Sequence, residues 1–210
     1  MNSYGNKIIG MNEDPGGDEG LTDDLIWQDK SYSSGIHKLS SKEEIISIFE
    51  GRGYSTEQAE TIAFWKLRGN EEINGDIRNG VWNYRIGILD GAIERSPMKR
   101  SHILYRCLGN TESKIVKIFG EGELYIPNKF CASSFTEHGA YEHLGQINPV
   151  MLEIQVKSGQ NGLMFGDKEW EDEVLLPRTI KFRIIEIREE CNNDEFSFFR
   201  YICEVEYYGI

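Results

Sequence analysis

The segment EDEVLLPRTIKFRI, residues 171–184, joins an acidic start to the pattern of two consecutive strands. The apolar run VLL at 174–176 ends at Pro177, and the β-branched and aromatic residues beyond the proline predict a second strand. Side chains of an extended chain alternate between its two faces, so Glu171 and Glu173 point the same way, about 6.6 Å apart. The sequence therefore places two carboxylates on one face where a buried strand begins.

Paired carboxylates at the start of a strand have two interpretations. Beside an electron-poor carbon, a carboxylate stabilises positive charge as it develops, which suits the cleavage of a glycosidic bond. Alternatively, acids at a strand end only keep the sheet edge solvated and discourage pairing with another chain. The pattern of Glu171 and Glu173 alone leaves both interpretations open.

Helical patterns come first in the chain and strand patterns follow. Ser40 or Ser41 is expected to cap an amphipathic helix, and a Ser-x-x-Gln capping box at 55–58 begins a second one. A third apolar stripe at helical spacing covers 81–95. From His102 onward most segments are strand-like and are separated by Gly, Asn and Pro turns. This order predicts an α+β fold with mostly antiparallel strands rather than a parallel α/β sheet.

Length and charge narrow the class of protein. The chain has 210 residues and a formal net charge of −12, which disfavours nucleic acid as a partner because such binding relies on Lys and Arg neutralising phosphates. No apolar run approaches the roughly 20 residues that span a bilayer, and the N-terminus lacks the apolar part of a Sec signal peptide. We expect residues 1–38 to form a polar, partly disordered arm and residues 39–210 to form a single domain.

The cysteines and histidines show no metal-binding spacing. The 4 cysteines match neither a C-x-x-C pair nor a zinc-ligand pattern, so free thiols and no metal site are expected.

An arginine stands inside an otherwise apolar strand, HILYRCLG. Burying the guanidinium of Arg106 without a partner is costly, so a charged group is expected opposite it. That group is either an internal acid or a ligand such as a pyrophosphate, which matches the planar fork of an arginine. A later strand, FCASSF at 130–135, ends with the hydroxyls of Ser133 and Ser134, which can hold a sugar hydroxyl or position a carboxylate.

Four segments resemble the mono-ADP-ribosyltransferase toxins of the arginine, serine-threonine-serine and glutamate-x-glutamate class. Arg106 in LYRCLG matches the family's strand arginine, and FCASS at 130–134 matches the aromatic-x-Ser-Thr-Ser strand. EDEVLLP at 171–177 matches the glutamate-x-glutamate signature, and INGDIRNG at 73–80 is similar to the segment before the helix that leads to the arginine strand. The resemblance extends from Ser40 to Ile187 and implies N-terminal helices packed on two mostly antiparallel sheets that form an NAD cleft.

The resemblance also implies roles for individual residues. Glu173 would be catalytic and stabilise the oxocarbenium-like state of the nicotinamide ribose, while Glu171 would orient or deprotonate the nucleophile. Arg106 and Ser133 complete the expected catalytic set. The residues expected to contact NAD, the co-substrate, come from all four segments and are Asn74, Arg106, Cys107, Phe130, Ser133, Ser134 and Glu173.

Aromatic residues near the glutamates are candidates for recognising a protein substrate. Trp170 and Phe165 precede Glu171, and an exposed aromatic there would anchor the acceptor, although packing of Trp170 on the domain is an equal alternative. The loop that follows the serine strand, with His138, Tyr141 and His143, is expected to contact NAD.

Two residues depart from the family pattern. Ala132 replaces the first hydroxyl of the serine motif, the one expected to brace the catalytic glutamate, so either Ser133 replaces it or activity is reduced. Cys107 stands where a glycine usually follows the arginine and is expected to narrow the nicotinamide pocket.

The resemblance implies an NAD-dependent transferase that moves ADP-ribose to an arginine of a target protein and releases nicotinamide. Glutamate at position 171 favours arginine as the acceptor, since a carboxylate both attracts a guanidinium and removes its proton. The alternatives are an NAD glycohydrolase toxin of the same fold and a catalytically weak NAD-binding module. The expected setting is a monomeric effector delivered to the cytosol of a target cell, with a host protein as acceptor and an immunity protein or carrier as a further partner.

Overall fold

The computed structural model describes residues 41–141, 144, 149–165, 173–192 and 196–206. The predicted arm at 1–38 lies outside the described residues, and so do His143, Trp170 and Glu171. The boundary placed between the arm and the domain therefore stays a prediction.

The first two helices begin at serine caps, as the sequence predicts. Helix α1 covers Lys42–Gly51, and its capping box joins the Ser41 hydroxyl to the Glu44 amide at 3.1 Å and the Glu44 carboxylate to the Ser41 amide at 2.9 Å. Helix α2 covers Thr56–Phe64 and repeats this arrangement with Ser55 and Gln58. Each box satisfies backbone donors that have no partner inside the helix.

The helical backbone continues without a break beyond Phe64. A π-helical segment, Trp65–Gly69, follows α2 and leads directly into α3, Asn70–Asn79. Gly80, with φ of 65°, ends α3 in the left-handed conformation that glycine adopts without strain. Helix α4 covers Tyr84–Glu94. The predicted third helix at 81–95 thus starts later, because the Asn83 side chain caps it by accepting from the Arg85 amide at 3.0 Å.

The remaining elements are mostly strands, with two short helices among them. Their bounds are β1 His102–Leu108, α5 Asn110–Val116, β2 Leu124–Tyr125, β3 Cys131–Ser134, α6 Glu137–Tyr141, β4 Val150–Val156, β5 Leu163–Met164, β6 Glu173–Leu176, β7 Lys181–Asn192 and β8 Phe196–Glu206.

The described strands form one eight-stranded sheet in the order β2-β7-β8-β4-β1-β3-β6-β5. All neighbours pair antiparallel except β4 and β8, which are parallel, so the α+β fold with mostly antiparallel strands is confirmed. The expected division into two sheets is not seen, because β1 pairs with β4 on one side and with β3 on the other. The β1–β3 ladder registers one residue pair, Tyr105 with Ser134, and this narrow junction joins a five-stranded part to a three-stranded part.

The two faces of the sheet bury different cores. Leu104 and Leu108 of β1 lie in one core with Val174 of β6. The other face of the three-stranded part, which includes Phe130 and Leu175, packs against helices α1 to α4. This alternation follows from the two-residue period of a strand and sets which motif side chains can meet. Among the described helices, none has the length and apolar character needed to cross a membrane.

Candidate functional site

The predicted site residues gather where β1, β3 and β6 lie side by side. Tyr105 pairs with Ser134, and Ser134 pairs with Glu173, so these three side chains form a row on one face of the sheet. The acid and the last serine of the motif are thus direct cross-strand neighbours. This pairing places the Glu173 carboxylate at the narrow junction of the sheet.

Arg106 and Ser133 belong to the opposite face, since each follows or precedes a member of that row by one residue. The guanidinium of Arg106 nevertheless reaches the junction, because its Nη1 donates to the backbone carbonyl of Ala132 at 2.6 Å. The structure therefore brings Arg106 to the backbone of the serine strand but does not line up all four motif side chains on one wall.

An internal acid pairs with Arg106. Glu112 of α5 accepts from Arg106 Nη2 at 3.0 Å, from Lys129 Nζ at 2.6 Å and from the Tyr125 hydroxyl at 2.8 Å. Burial raises the pKa of the Glu112 carboxyl, but the charges of Arg106 and Lys129 and the hydrogen bonds outweigh burial and lower it to about 2. Glu112 is therefore an ionised carboxylate that accepts from three side chains and holds Arg106 in place.

Two buried polar atoms at this junction have no hydrogen-bond partner in the described part of the chain. They are Nε of Arg106 and Oγ of Ser133. Buried side-chain polar atoms are normally paired, and exceptions call for a ligand, a water or a catalytic use. Both unpaired atoms belong to residues that the sequence motifs include. Their lack of partners is consistent with a polar ligand that binds at the junction.

Glu173 is held by a lysine that the sequence motifs did not include. Lys66, on the π-helical segment, contacts Glu173 Oε2, and the two side chains are 15% and 20% exposed. The Lys66 ammonium also lies 5.2 Å from the ring centre of Phe165. The sequence carries no signal for this residue, but its place on the π-helical segment is consistent with a functional role, because π-helical turns occur frequently at functional sites.

Phe165 is not an exposed anchor for a protein substrate, and that expectation is corrected. Its side chain is only 6% exposed and packs edge-on against Phe49, with ring centres 5.8 Å apart. Burial of this aromatic side chain in the helical core stabilises the fold, and the buried ring is not available to a protein substrate. Its contact with Lys66 makes it a support for the Glu173 pair.

Asn74 fixes the start of the serine strand. Its amide nitrogen donates to the Phe130 carbonyl at 3.2 Å, and its carbonyl accepts from the Phe130 amide at 3.0 Å. The Phe130 ring is fully buried, with its centre 5.6 Å from the Trp65 ring. Asn74 and Phe130 thereby connect α3 to β3, and their contact with NAD stays a prediction.

The two departures from the family pattern lie on the face that carries Ser134 and Glu173. Ala132 is two residues before Ser134, and Cys107 is two residues after Tyr105. Burial raises the pKa of the Cys107 thiol to about 12, with a further contribution from the charge of Glu137. Cys107 is therefore a neutral side chain where the pattern expects open space.

The helix after the serine strand is tied to the sheet by its acidic first residue. Glu137 accepts from Arg200 at 2.6 Å and from the Tyr141 hydroxyl at 2.8 Å. Arg200 is 6% exposed and also bonds Glu153 and Glu190. Tyr141 thus contributes to packing of α6.

An open cavity of about 700 Å³ lies between the end of α3 and the segments that precede β3 and β7. Arg78, Arg178 and Lys181 line it together with Asn128, which precedes Lys129 in the chain. Its size is in the range of small-molecule sites, and its basic side chains suit an anionic ligand. Within the described ranges, no group of three or more His, Cys, Asp or Glu side chains is arranged to hold a metal ion.

The sequence matches the model of a known protein family. The sequence model of the ADP-ribosyltransferase exoenzyme family matches residues 26–197, which is most of the chain and includes all four motif segments. The chain belongs to the ADP-ribosyltransferase exoenzyme family. A search of curated protein sequences found no match.

Solved structures of similar fold are ADP-ribosyltransferase toxins. Plx2a from Paenibacillus larvae superposes with a TM-score of 0.62 at 18% identity, covering 79% of this exoenzyme and 93% of that chain. C3stau2 from S. aureus, solved with NAD, gives a TM-score of 0.58 at 15% identity, with coverages of 81% and 97%. Exoenzyme S from Pseudomonas aeruginosa, bound to carba-NAD and human 14-3-3 protein beta, gives a TM-score of 0.63 at 13% identity. That match covers 78% of this exoenzyme and 80% of the other chain. At these identities the likeness establishes the shared fold.

Proposed function

We propose that this exoenzyme cleaves NAD at the β1–β3–β6 junction and transfers ADP-ribose to an arginine of a target protein. The observation that carries the proposal is the pair of unsatisfied buried atoms, Arg106 Nε and Ser133 Oγ, at the junction whose other face carries the cross-strand neighbours Ser134 and Glu173. A polar ligand with several acceptors would satisfy these atoms. NAD supplies such acceptors together with a glycosidic bond to a cationic leaving group.

Glu173 acts as the anionic group that stabilises positive charge on the nicotinamide ribose. Its carboxylate remains oriented because Lys66 contacts Oε2, which leaves Oε1 to accept a hydrogen bond from a ribose hydroxyl. We infer that Lys66 replaces the brace that the missing hydroxyl at Ala132 would provide. Ser134, the cross-strand neighbour of Glu173, is the nearest hydroxyl of the motif on the same face.

Arg106 holds the middle of the dinucleotide rather than the reacting carbon. Its guanidinium is fixed by Glu112 and the Ala132 carbonyl, so it presents a rigid donor. The basic cavity with Arg78 and Asn128 suits the phosphate and adenosine portion, and Asn128 directly precedes Lys129, which contacts the same Glu112 as Arg106. The two ends of NAD are then separated by the width of the junction.

Arginine is proposed as the acceptor because Glu171 precedes the catalytic acid by two residues. A carboxylate at that place attracts a guanidinium and takes its proton as the nitrogen attacks. The acceptor protein would belong to a cell into which the exoenzyme is delivered.

The proposal is tested with NAD labelled in the adenosine and with agmatine as a small guanidine acceptor. Wild type should release nicotinamide and form ADP-ribosylagmatine. Glu173→Gln should lower both rates by about a hundredfold or more, because an amide carries no charge to stabilise the developing cation. Glu60→Gln, an exposed acid on α2, is the matched control and should keep both rates.

Each outcome separates one function from another. Release of nicotinamide with free ADP-ribose as the only product would identify an NAD glycohydrolase. Binding of NAD without turnover by wild type would identify a binding module. Unchanged nicotinamide release by Glu173→Gln would show that the acid has no catalytic role.

A further inference from the structure

A strip of aromatic and arginine side chains lies at the surface of the helical side of the domain, with Trp82, Tyr84 and Arg68 exposed and Phe64 and Arg85 partly buried. Its members, named here the aromatic–arginine strip, are Trp82, Tyr84, Arg85, Phe64 and Arg68. The Trp82 and Tyr84 ring centres are 6.5 Å apart, and Arg85 lies 4.8 Å from the Tyr84 ring and 4.3 Å from the Phe64 ring. Arg68 covers the same Phe64 ring at 5.7 Å. The contacts form one continuous surface.

Trp82 is 83% exposed, and the neighbouring Val81 and Tyr84 are exposed as well. Exposing a large indole to water forgoes a substantial hydrophobic gain, so a contiguous exposed apolar patch usually marks an interaction site. The loop that carries Trp82 is fixed on both sides. Gly80 ends α3, and Asn83 caps α4 while donating to Asp76 at 2.8 Å. A partner would therefore meet a surface that loses little conformational entropy on binding.

The strip lies close to the proposed catalytic acid. Phe64 is the last residue of α2, and Lys66, two residues later, contacts Glu173. The strip and the acid are thus on different sides of one helix, whose width with side chains is about 10–12 Å. That separation is too large for NAD chemistry but suits a protein that presents its acceptor side chain to Glu173.

The charge of the strip identifies the kind of partner. The whole chain carries a net charge of −12, whereas the strip presents two guanidinium groups. Arg85 has Glu72 at 4.0 Å, the outer limit of an ion pair, and Arg68 has no carboxylate within ion-pair distance in the described part of the chain. Arginines stacked on rings keep their N–H donors available for carboxylates, and Trp, Tyr and Arg dominate interface hot spots.

We propose that the aromatic–arginine strip docks the acceptor protein, through an acidic surface of that protein with an apolar pocket for Trp82. This inference rests on the proposed transferase function and assigns the recognition of the acceptor to the helices. It replaces Phe165, which is buried, as the aromatic anchor.

The test compares a protein acceptor with a small one. Trp82→Ala and Arg68→Ala are assayed beside Ile118→Ala, whose side chain is 76% exposed near the end of α5 and away from the strip. Three rates are measured: labelling of proteins in a mammalian cell lysate with labelled NAD, transfer to agmatine, and nicotinamide release without an acceptor. Thermal unfolding shows that each variant folds.

Trp82→Ala should lower protein labelling at least tenfold and keep the agmatine and nicotinamide rates, while Ile118→Ala should keep all three. Arg68→Ala should lower labelling less and make the remaining labelling less sensitive to salt. Equal labelling by Trp82→Ala and Ile118→Ala overturns the docking proposal, and so does a parallel loss of the agmatine rate.

Other results identify other occupants or a wrong function. A wild-type dimer in light scattering that Trp82→Ala converts to a monomer would assign the strip to a second copy of the chain. Wild type that modifies agmatine but no lysate protein also overturns docking. If the wild-type protein modifies neither agmatine nor lysate proteins, the proposed transferase function is refuted, and the docking proposal is refuted with it.

Discussion

Replacing Glu112 with Gln should destabilise the domain in a pH-dependent manner. Among the described residues, Glu112 is the acid that contacts both Arg106 and Lys129, and glutamine keeps its size while removing its charge. The buried guanidinium of Arg106 would then lose its counter-charge. Removing one partner of a buried ion pair is among the substitutions that lower protein stability most.

The magnitude follows from the pKa of the carboxyl group. A shift from its ordinary value of 4.5 to about 2 corresponds to about 3 kcal/mol of unfolding free energy. Because the folded-state pKa is the lower one, this stabilisation is present above pH 4.5 and is lost as the pH falls toward about 2. The difference between wild type and Glu112→Gln should therefore be about 3 kcal/mol near pH 6 and should shrink by most of that amount by about pH 2.

Urea unfolding followed by tryptophan fluorescence at several pH values between 2 and 7 measures this difference. Glu60→Gln, which removes an exposed acid, is the control for the change in net charge. A difference between wild type and Glu112→Gln that stays constant over this range would refute the reasoning. So would a difference no larger than that of the control.

Three further predictions concern Arg200, Lys66 and Cys107. Arg200→Ala should cost about 3–5 kcal/mol in urea unfolding at pH 7, since it leaves the carboxylates of Glu137, Glu153 and Glu190 without their shared cation; a loss below 1 kcal/mol would contradict this. Lys66→Met should lower kcat for nicotinamide release about tenfold with little change in KM for NAD, Lys66→Arg should retain the rate, and adding Ala132→Ser to Lys66→Met should recover part of it. Failure of both rescues would show that Lys66 does not position the acid. Cys107→Gly should lower KM for NAD severalfold by opening the nicotinamide pocket, and an unchanged KM in steady-state kinetics would count against that pocket.

Local chemistry made several features predictable. The capping boxes at Ser41 and Ser55 depend only on side chains three residues apart, so they can be read from the sequence. Apolar runs bounded by turn residues likewise predicted β1 and β6. The order of helices and strands predicted the α+β class, and the motif order predicted the family.

The contacts that complete the candidate site required the tertiary structure. Lys66 meets Glu173 across 107 positions of sequence, and Asn74 meets Phe130 across 56, so no local pattern reports them. One registered pair between β1 and β3 merges the expected two sheets into one, and a single pair leaves no signal in either strand.

The sequence by itself determined which residue types are candidates for the chemistry, because an arginine in an apolar strand, hydroxyls at a strand end and an acid before a buried strand are all costly unless used. The tertiary structure alone decided which partner each of them has. The strand register places Glu173 opposite Ser134 on one face of the sheet and leaves Arg106 on the other face, where it contacts Glu112. A shift of one residue in the register would have moved these side chains to the opposite faces.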